Sequence, residues 1–102
     1  MAGFVTVGRV QDHPAGQLRL YEVDGRRVAV AATGEGWFAF DDECTHRGCS
    51  LAEGELEGRK VECICHGSVF DVTSGEVRNG PAEDPVATFP VRVEGDDLQV
   101  SV

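Results

Sequence analysis

The sequence predicts an all-β fold built from antiparallel strands. Three observations support this: helical periodicity is nearly absent, apolar residues alternate with polar ones over short runs, and 13 of the 102 residues are glycine. A chain of this length suits one domain, so we expect a single domain over residues 1–102.

Four strands are expected in the first half of the chain. Alternation of apolar and polar residues places them at 4–10, 18–23, 27–32 and 37–40. Asp24-Gly25, between the second and third strands, is a strong tight-turn signal. The loop before the second strand contains His13, which we expect to be solvated and to bind no metal.

An aromatic run and an acidic run follow at the end of this half. We expect Trp37, Phe38 and Phe40 to pack in the core rather than form a binding surface, because the chain has few large apolar residues. The three acidic residues at 41–43 are expected to form a solvated strand end rather than a cation site.

The second half is predicted to begin with a polar, glycine-punctuated connection and to end with a hairpin. The connection covers 53–58. The expected strands lie at 60–63, 69–72, 88–94 and 98–102, with a short returning segment beginning at 76–77. A rigid loop is expected over 79–85, and the final hairpin turns at 95–97.

Two short segments, 44–49 and 63–68, hold all four cysteines and two of the three histidines. Cys44 and His46 are separated by one residue, and Cys63 and His66 by two. Thiol and imidazole groups concentrated in this way indicate a metal site.

Two kinds of metal site match these ligands. Two thiolates and two imidazoles can bind one tetrahedral zinc ion, but structural zinc sites usually pair like ligands within one segment. Here each segment supplies one cysteine and one histidine. That distribution favours a [2Fe–2S] cluster with two cysteines on one iron and two histidines on the other, and the zinc site remains the alternative.

The same motifs resemble the Rieske iron–sulfur family. They are Cys44-x-His46 and Cys63-x-x-His66, the second followed by Gly67-Ser68. The resemblance covers the chain in length and order. It implies one [2Fe–2S] cluster and a Rieske-type antiparallel β-sandwich, barrel-like in shape, with two cluster-binding loops and a proline loop.

The remaining cysteines, Cys49 and Cys65, match an extra pair in Rieske proteins of the quinol-oxidising complexes. In those proteins the pair forms a disulfide between the two cluster loops, and the resemblance implies a Cys49–Cys65 disulfide here. The alternative is two reduced thiols, because disulfides are uncommon in cytosolic proteins.

Three further residues bear on the reduction potential that the resemblance implies. Ser68 occupies the place of a serine whose hydroxyl donates to a bridging sulfide in high-potential members. Phe70, which cannot donate, stands where those members have a tyrosine, and Arg47 stands where they have a leucine. We expect the charge of Arg47 to favour the reduced cluster, with the effect weakened by screening if the side chain is exposed. With one donor kept, one donor lost and a disulfide between the loops, we expect a potential between those of dioxygenase-type ferredoxins and quinol-oxidising proteins.

A proline-bearing loop forms a third wall around the cluster in the Rieske family. The corresponding segment here runs from Gly80 to Pro85 and includes Pro81. The resemblance therefore implies that this segment covers the cluster, and a plain turn between strands is the alternative.

Charge and hydropathy limit the function classes. The formal net charge is −9, which argues against nucleic acid and is compatible with steering toward a basic partner surface or simply with solubility. The first residues lack a secretory signal, and no run of about 18 apolar residues occurs, so we expect no membrane span and a cytoplasmic protein.

The function expected from the resemblance is that of a soluble Rieske-type ferredoxin. Such a carrier passes electrons from a reductase to a terminal oxygenase or a related acceptor, and it is not catalytic alone. We expect a monomer whose partners dock over His46 and His66. The alternatives are an electron-transfer subunit of a larger oxidoreductase, similar to those of nitrite reductase or arsenite oxidase, and a zinc-stabilised structural module.

Overall fold

The described part of the chain contains eleven strands, which form three antiparallel sheets. The computed structural model describes residues 3–45, 48–65 and 67–102, and these contain no α-helix. In chain order the strands are β1 Phe4–Arg9, β2 Leu18–Val23, β3 Arg26–Thr33, β4 Gly36–Asp41, β5 Glu55–Glu57, β6 Lys60–Glu62, β7 Val69–Asp71, β8 Val77–Asn79, β9 Thr88–Phe89, β10 Val91–Glu94 and β11 Asp97–Ser101. Short 3₁₀ turns cover Val10–Asp12 and Leu51–Glu53. The prediction of an antiparallel all-β fold is confirmed.

The three sheets have different places in the chain. The terminal sheet has the strand order β1-β11-β10, the central sheet β2-β3-β4-β9, and the loop sheet β5-β6-β7-β8. The segment 44–49 follows the end of β4, and the segment 63–68 connects β6 to β7. The two cysteine-bearing segments therefore leave from the central sheet and the loop sheet respectively.

Strand β3 shows why the core has two parts. Its alternate residues face opposite sides of the sheet. Ala29 and Ala31 join one buried cluster with Phe40 and Phe70, whereas Val28 and Val30 join another with residues of β11. The central sheet is thus packed against the loop sheet on one face and the terminal sheet on the other.

The β2–β3 hairpin turns where the sequence predicts. Asp24 has φ of 51° and Gly25 has φ of 78°, so both central residues adopt the left-handed conformation. A two-residue turn with this conformation matches the twist of the flanking strands, and Asp-Gly is a favoured sequence for it.

Two predictions for the second half are wrong: one strand was not expected, and one expected strand is divided in two. Residues 55–57 form strand β5, which pairs with β6, although the sequence favours a plain connection there because glutamate and glycine are poor strand formers. The expected strand 88–94 is divided at Pro90. Thr88 and Phe89 pair with β4, whereas Val91 onward pairs with β11, because proline lacks the N–H that a continuous ladder requires.

The aromatic residues of β4 pack as the sequence predicts. Phe40 is fully buried, and Trp37 and Phe38 are partly buried against the two core clusters. The indole N–H of Trp37 also donates to the carbonyl oxygen of His13 at 3.0 Å. These rings therefore stabilise the sandwich.

His13 lies in the interior, so the expectation of a solvated side chain is wrong. Its Nε2 lies 2.9 Å from the carbonyl oxygen of Gln17, and its Nδ1 lies 3.3 Å from the Tyr21 hydroxyl. A neutral ring satisfies both contacts, because Nε2–H donates to Gln17 while Nδ1 accepts from Tyr21. Burial lowers the pKa of His13 because the charged ring would lose its hydration.

Asp71 ends β7 on the side away from the segment 63–68. Its buried carboxylate accepts from the Thr73 hydroxyl at 2.6 Å and the Thr73 N–H at 2.8 Å, and it lies 3.2 Å from Arg78. The Thr73 hydroxyl above all, followed by the Thr73 N–H and Arg78, holds the pKa of Asp71 at about 2. Asp71 therefore stabilises the turn that leads to β8.

A membrane-crossing helix is not found within residues 3–45, 48–65 and 67–102. No helix there has the length and apolar character that crossing would require.

We expect His13 to reduce stability as the pH falls below about 6.5, its unfolded-state pKa. The folded pKa lies lower, so the unfolded state binds the proton first and the free energy of unfolding decreases as the pH falls. Urea unfolding of the wild type and His13→Gln between about pH 5 and pH 7 measures this. The stability advantage of the wild type should shrink at low pH, by at most about 1.4 kcal/mol per pH unit. A constant difference would contradict a neutral, buried His13.

Candidate metal centre

Loop 1, defined as residues 44–49, is closed by its own backbone. The N–H of Cys44 donates to the carbonyl oxygen of Cys49 at 2.9 Å, and the Cys44 carbonyl accepts from the N–H of Gly48 at 2.8 Å. Gly48 has φ of 76°, a left-handed conformation that glycine adopts without steric cost. The loop therefore curls back on Cys44.

Loop 2, defined as residues 63–68, repeats this arrangement. The N–H of Cys63 donates to the carbonyl oxygen of Ser68 at 2.7 Å, and the Cys63 carbonyl accepts from the N–H of Gly67 at 3.1 Å. Gly67 also has φ of 76°. The first cysteine of each loop is thus held by the same two backbone hydrogen bonds.

Cys44 and Cys63 are both buried. Their residues are 2% and 3% exposed, and both belong to the core cluster between the central and loop sheets. Neither takes part in a disulfide. Each loop therefore supplies one thiol from the interior. Thiolates are soft ligands that suit an iron–sulfur centre, and their burial would shield the cysteine side of such a centre from water.

A disulfide between Cys49 and Cys65 links the two loops. The two Cα atoms are 6.4 Å apart, and the sulfur atoms of Cys49, Cys63 and Cys65 all lie within 4.8 Å of one another. Cys65 is exposed and Cys49 is half-buried. The disulfide that the resemblance implies is present, and it lies directly beside one of the buried thiols.

Three sequence-predicted residues lie outside the described residues. They are His46, Arg47 and His66. The histidine half of the ligand set and the effect of Arg47 on the potential therefore remain predictions from the sequence.

The proline-bearing segment is bonded to both loops. The buried Ser68 hydroxyl accepts from the N–H of Ala82 at 3.0 Å, and the Thr45 hydroxyl donates to the carbonyl oxygen of Asp84 at 2.6 Å. The residues singled out in the sequence, Gly80, Pro81 and Pro85, are exposed. These bonds place the segment beside the two loops, and its role as a wall of the cluster remains a prediction.

Ser68 and Phe70 differ in what they offer to a bound cluster. The Ser68 hydroxyl already accepts one hydrogen bond, so its own hydrogen can serve an acceptor such as a sulfide. Phe70 is fully buried in the same core cluster as Cys44 and Cys63, and its ring has no hydrogen to donate. The predicted role of Ser68 in tuning the potential is compatible with this position.

A glutamate side chain lies against the glycine of each loop. A Glu43 carboxylate oxygen is 3.4 Å from where a Cβ of Gly48 would stand, and a Glu62 oxygen is 3.7 Å from the same position at Gly67. Negative charge here disfavours the addition of an electron to a nearby cluster. The sequence does not predict that these two glutamates lie against the loop glycines, although each directly precedes a predicted cysteine ligand.

Asp42 corrects the expectation of a solvated strand end at 41–43. Its residue is 1% exposed, and its Oδ1 accepts from the Ser50 hydroxyl at 2.9 Å and the Ala52 N–H at 2.8 Å. Its Oδ2 lies 3.2 Å from a guanidinium nitrogen of Arg27. Acidic residues are usually exposed, and only these partners explain the burial of this one.

The donors that the described residues provide fit a [2Fe–2S] cluster. Two buried thiols come from two loops that share the same pair of backbone hydrogen bonds. A disulfide links the loops, and the buried Ser68 hydroxyl retains a hydrogen to donate. Thiolates are the protein ligands that iron–sulfur clusters favour.

A family model for the Rieske [2Fe-2S] domain matches residues 3–90. The chain belongs to the Rieske [2Fe-2S] family. Its cofactor is one [2Fe–2S] cluster, which decides against the zinc-stabilised module.

One curated relative of this Rieske chain is the biphenyl dioxygenase ferredoxin subunit of Pseudomonas sp. strain KKS102. It is 36% identical over 98 residues, which cover 95% of this chain and 90% of the relative.

Two solved ferredoxin structures share the fold closely. One is from the complex of reduced oxygenase and oxidised ferredoxin in carbazole 1,9a-dioxygenase, with a TM-score of 0.91, 32% identity, and 96% and 92% of the two chains covered. The other is the carbazole 1,9a-dioxygenase ferredoxin of Nocardioides aromaticivorans IC177, with a TM-score of 0.92, 28% identity, and 95% of each chain covered.

We expect Ser68→Ala to lower both the free energy of unfolding and the midpoint potential. The buried Ala82 N–H would lose its acceptor, at a cost of about 1–3 kcal/mol. The reduced cluster would lose a donor that stabilises its extra negative charge.

Chemical unfolding and protein-film voltammetry measure the two effects. Ser74→Ala is the control, because the Ser74 hydroxyl also accepts from a backbone N–H but is exposed; an equal effect of both variants would contradict the role of Ser68.

Proposed function

We propose that this chain is the ferredoxin component of an oxygenase system and carries single electrons from a reductase to the terminal oxygenase. The observation that carries the proposal is the pair of matched loops, each burying one cysteine, in a chain similar to dioxygenase ferredoxins over nearly its whole length. The chain is an electron carrier and not a catalyst on its own.

The proposed ligand set is Cys44 and Cys63 on one iron and His46 and His66 on the other. The burial of the two cysteines supports the first half of this assignment, and the motif spacing supports the second. A bound Rieske cluster accepts and releases one electron at a time. The protein keeps the sulfur side in the core, so electrons are expected to pass on the histidine side.

We propose that partners dock over His46 and His66, at the end of the molecule formed by the two loops. Ile64 in loop 2 is 64% exposed and borders a cavity of about 330 Å³ that also contacts Cys63. Exposed Glu53 and Glu55 line the same cavity. An apolar residue with acidic neighbours favours a partner surface that has an apolar depression and a basic rim.

The proposal includes a monomer that works in the cytoplasm. The net charge of −9 supports the monomer, because equally charged copies of the chain repel one another. Size-exclusion chromatography with light scattering and cell fractionation test these two points.

The ligand assignment predicts an iron-to-sulfide ratio of one and a characteristic electron paramagnetic resonance spectrum. After reduction with dithionite, the average g value should lie below that of all-cysteine clusters, because two ligands are nitrogen. Cys44→Ser, Cys63→Ser, His46→Ala and His66→Ala should each abolish or displace this spectrum. The exposed Ser74→Ala is the control, since it changes a side chain outside both loops and should leave the spectrum unchanged. An unchanged spectrum in any ligand variant would refute that part of the assignment.

The docking proposal predicts that Glu53→Lys with Glu55→Lys slows electron delivery to the oxygenase. At low salt we expect a decrease of about tenfold in the association rate, and the difference should disappear as salt rises. Stopped-flow reduction of a terminal oxygenase that the wild-type protein is first shown to reduce measures the rate. The control, Glu22→Lys with Glu94→Lys, changes the net charge equally at exposed positions outside the loop sheet. An equal decrease in both pairs would show that only net charge matters and would contradict this docking surface.

A further inference from the structure

The two loops are closed at their bases in different ways. Loop 2 is closed by the β6–β7 ladder, in which Val61 pairs with Phe70 and Glu62 pairs with Val69. Two successive residue pairs therefore fix the separation of the chain segments that enter and leave loop 2.

Loop 1 has much less regular pairing at its base. Strand β4 ends at Asp41, and the chain returns from the loop as the 3₁₀ turn Leu51–Glu53 instead of a strand. The described residues there include one isolated bridge, between Glu43 and Ser50. The base of loop 1 consequently depends on contacts other than a ladder.

The Asp42 carboxylate supplies those contacts. It stands on the entering segment, and its Oδ1 accepts from two groups of the returning segment, the Ser50 hydroxyl and the Ala52 N–H. The Asp42 backbone carbonyl adds a hydrogen bond from the N–H of Leu51 at 2.7 Å. One residue thus binds three consecutive residues on the far side of the loop.

Arg27 connects this base to the central sheet. Its guanidinium lies 3.2 Å from Asp42 Oδ2, and its carbonyl oxygen accepts from the Asp42 N–H at 3.3 Å. The Asp42 side chain is 2% exposed, whereas the Arg27 side chain is 61% exposed. A buried charge is costly without partners, so the carboxylate is confined to the one position where all of these groups meet it.

We propose that Asp42 is a positioning residue for the iron–sulfur cluster. It lies two residues before Cys44 and fixes the base from which that cysteine extends. Through this bracing it holds the Cys44 thiol at a constant place relative to Cys63, which keeps the cluster bound and its geometry uniform. The inference rests on the proposed function, because it takes Cys44 as a cluster ligand.

Asp71 distinguishes this role from general stabilisation of the fold. It is also a buried aspartate that accepts a hydroxyl and an N–H and lies 3.2 Å from an arginine, Arg78. It lies at the end of β7 away from loop 2, with the β6–β7 ladder between them. Loss of its charge should weaken the fold without changing the position of either cysteine.

The experiment compares Asp42→Asn with Asp71→Asn in the cluster-loaded protein. Release of iron to EDTA, followed by the visible absorbance of the cluster, should be about tenfold faster in Asp42→Asn than in the wild type. Its electron paramagnetic resonance lines should also broaden, because the Cys44 position is less uniform. Asp71→Asn should lower the urea midpoint of unfolding yet keep the wild-type release rate and line width.

The proposal is overturned if Asp42→Asn releases iron at the wild-type rate, or if both variants accelerate release equally. Ser50→Ala serves as a milder second variant, since it removes one donor to the carboxylate. If Asp42→Asn fails to fold and Ser50→Ala behaves as the wild type, Asp42 supports the whole fold and the positioning role is wrong. Retention of the wild-type spectrum in Cys44→Ser would instead refute the ligand assignment itself.

Discussion

The proposed centre requires the two buried cysteines, Cys44 and Cys63, to keep a fixed separation although the loops that carry them leave from different sheets. Metal–ligand bonds tolerate only small changes in distance, so the loops that carry them must not move independently. The Cys49–Cys65 disulfide links the loops directly. The proline-bearing segment links them a second time, through Ser68 on one side and Thr45 on the other. These connections join residues distant in the chain into one binding site.

The sandwich supplies the rigid support that such a site needs. The central sheet has buried side chains on both faces, so β3 and β4 are packed from two sides and offer a firm base for loop 1. The loop sheet supports loop 2 with a regular ladder. Where the regular ladder is lacking, as at Asp42, a buried polar group with satisfied hydrogen bonds takes its place.

The two sides of the proposed metal centre differ in polarity. The cysteine side is packed in the hydrophobic core, whereas the loop surface carries carboxylates and the exposed Ile64. Glu43 and Glu62 lie against the loop glycines and oppose the addition of negative charge. Under the proposed docking, the acidity that would attract a basic partner also lowers the tendency of the centre to hold an electron, and both effects favour passing the electron on.

Local sequence patterns were enough to predict the all-β class, the Asp24-Gly25 turn and the cluster motifs, because alternation, turn chemistry and ligand spacing are properties of neighbouring residues. Features that depend on residues far apart in the chain could be seen only in the folded molecule. His13 is buried because Tyr21 and Gln17 meet it, and Asp42 is buried because Arg27, Ser50 and Ala52 satisfy its carboxylate. A local pattern cannot distinguish these two side chains from solvated ones, since their partners come together only when the chain folds.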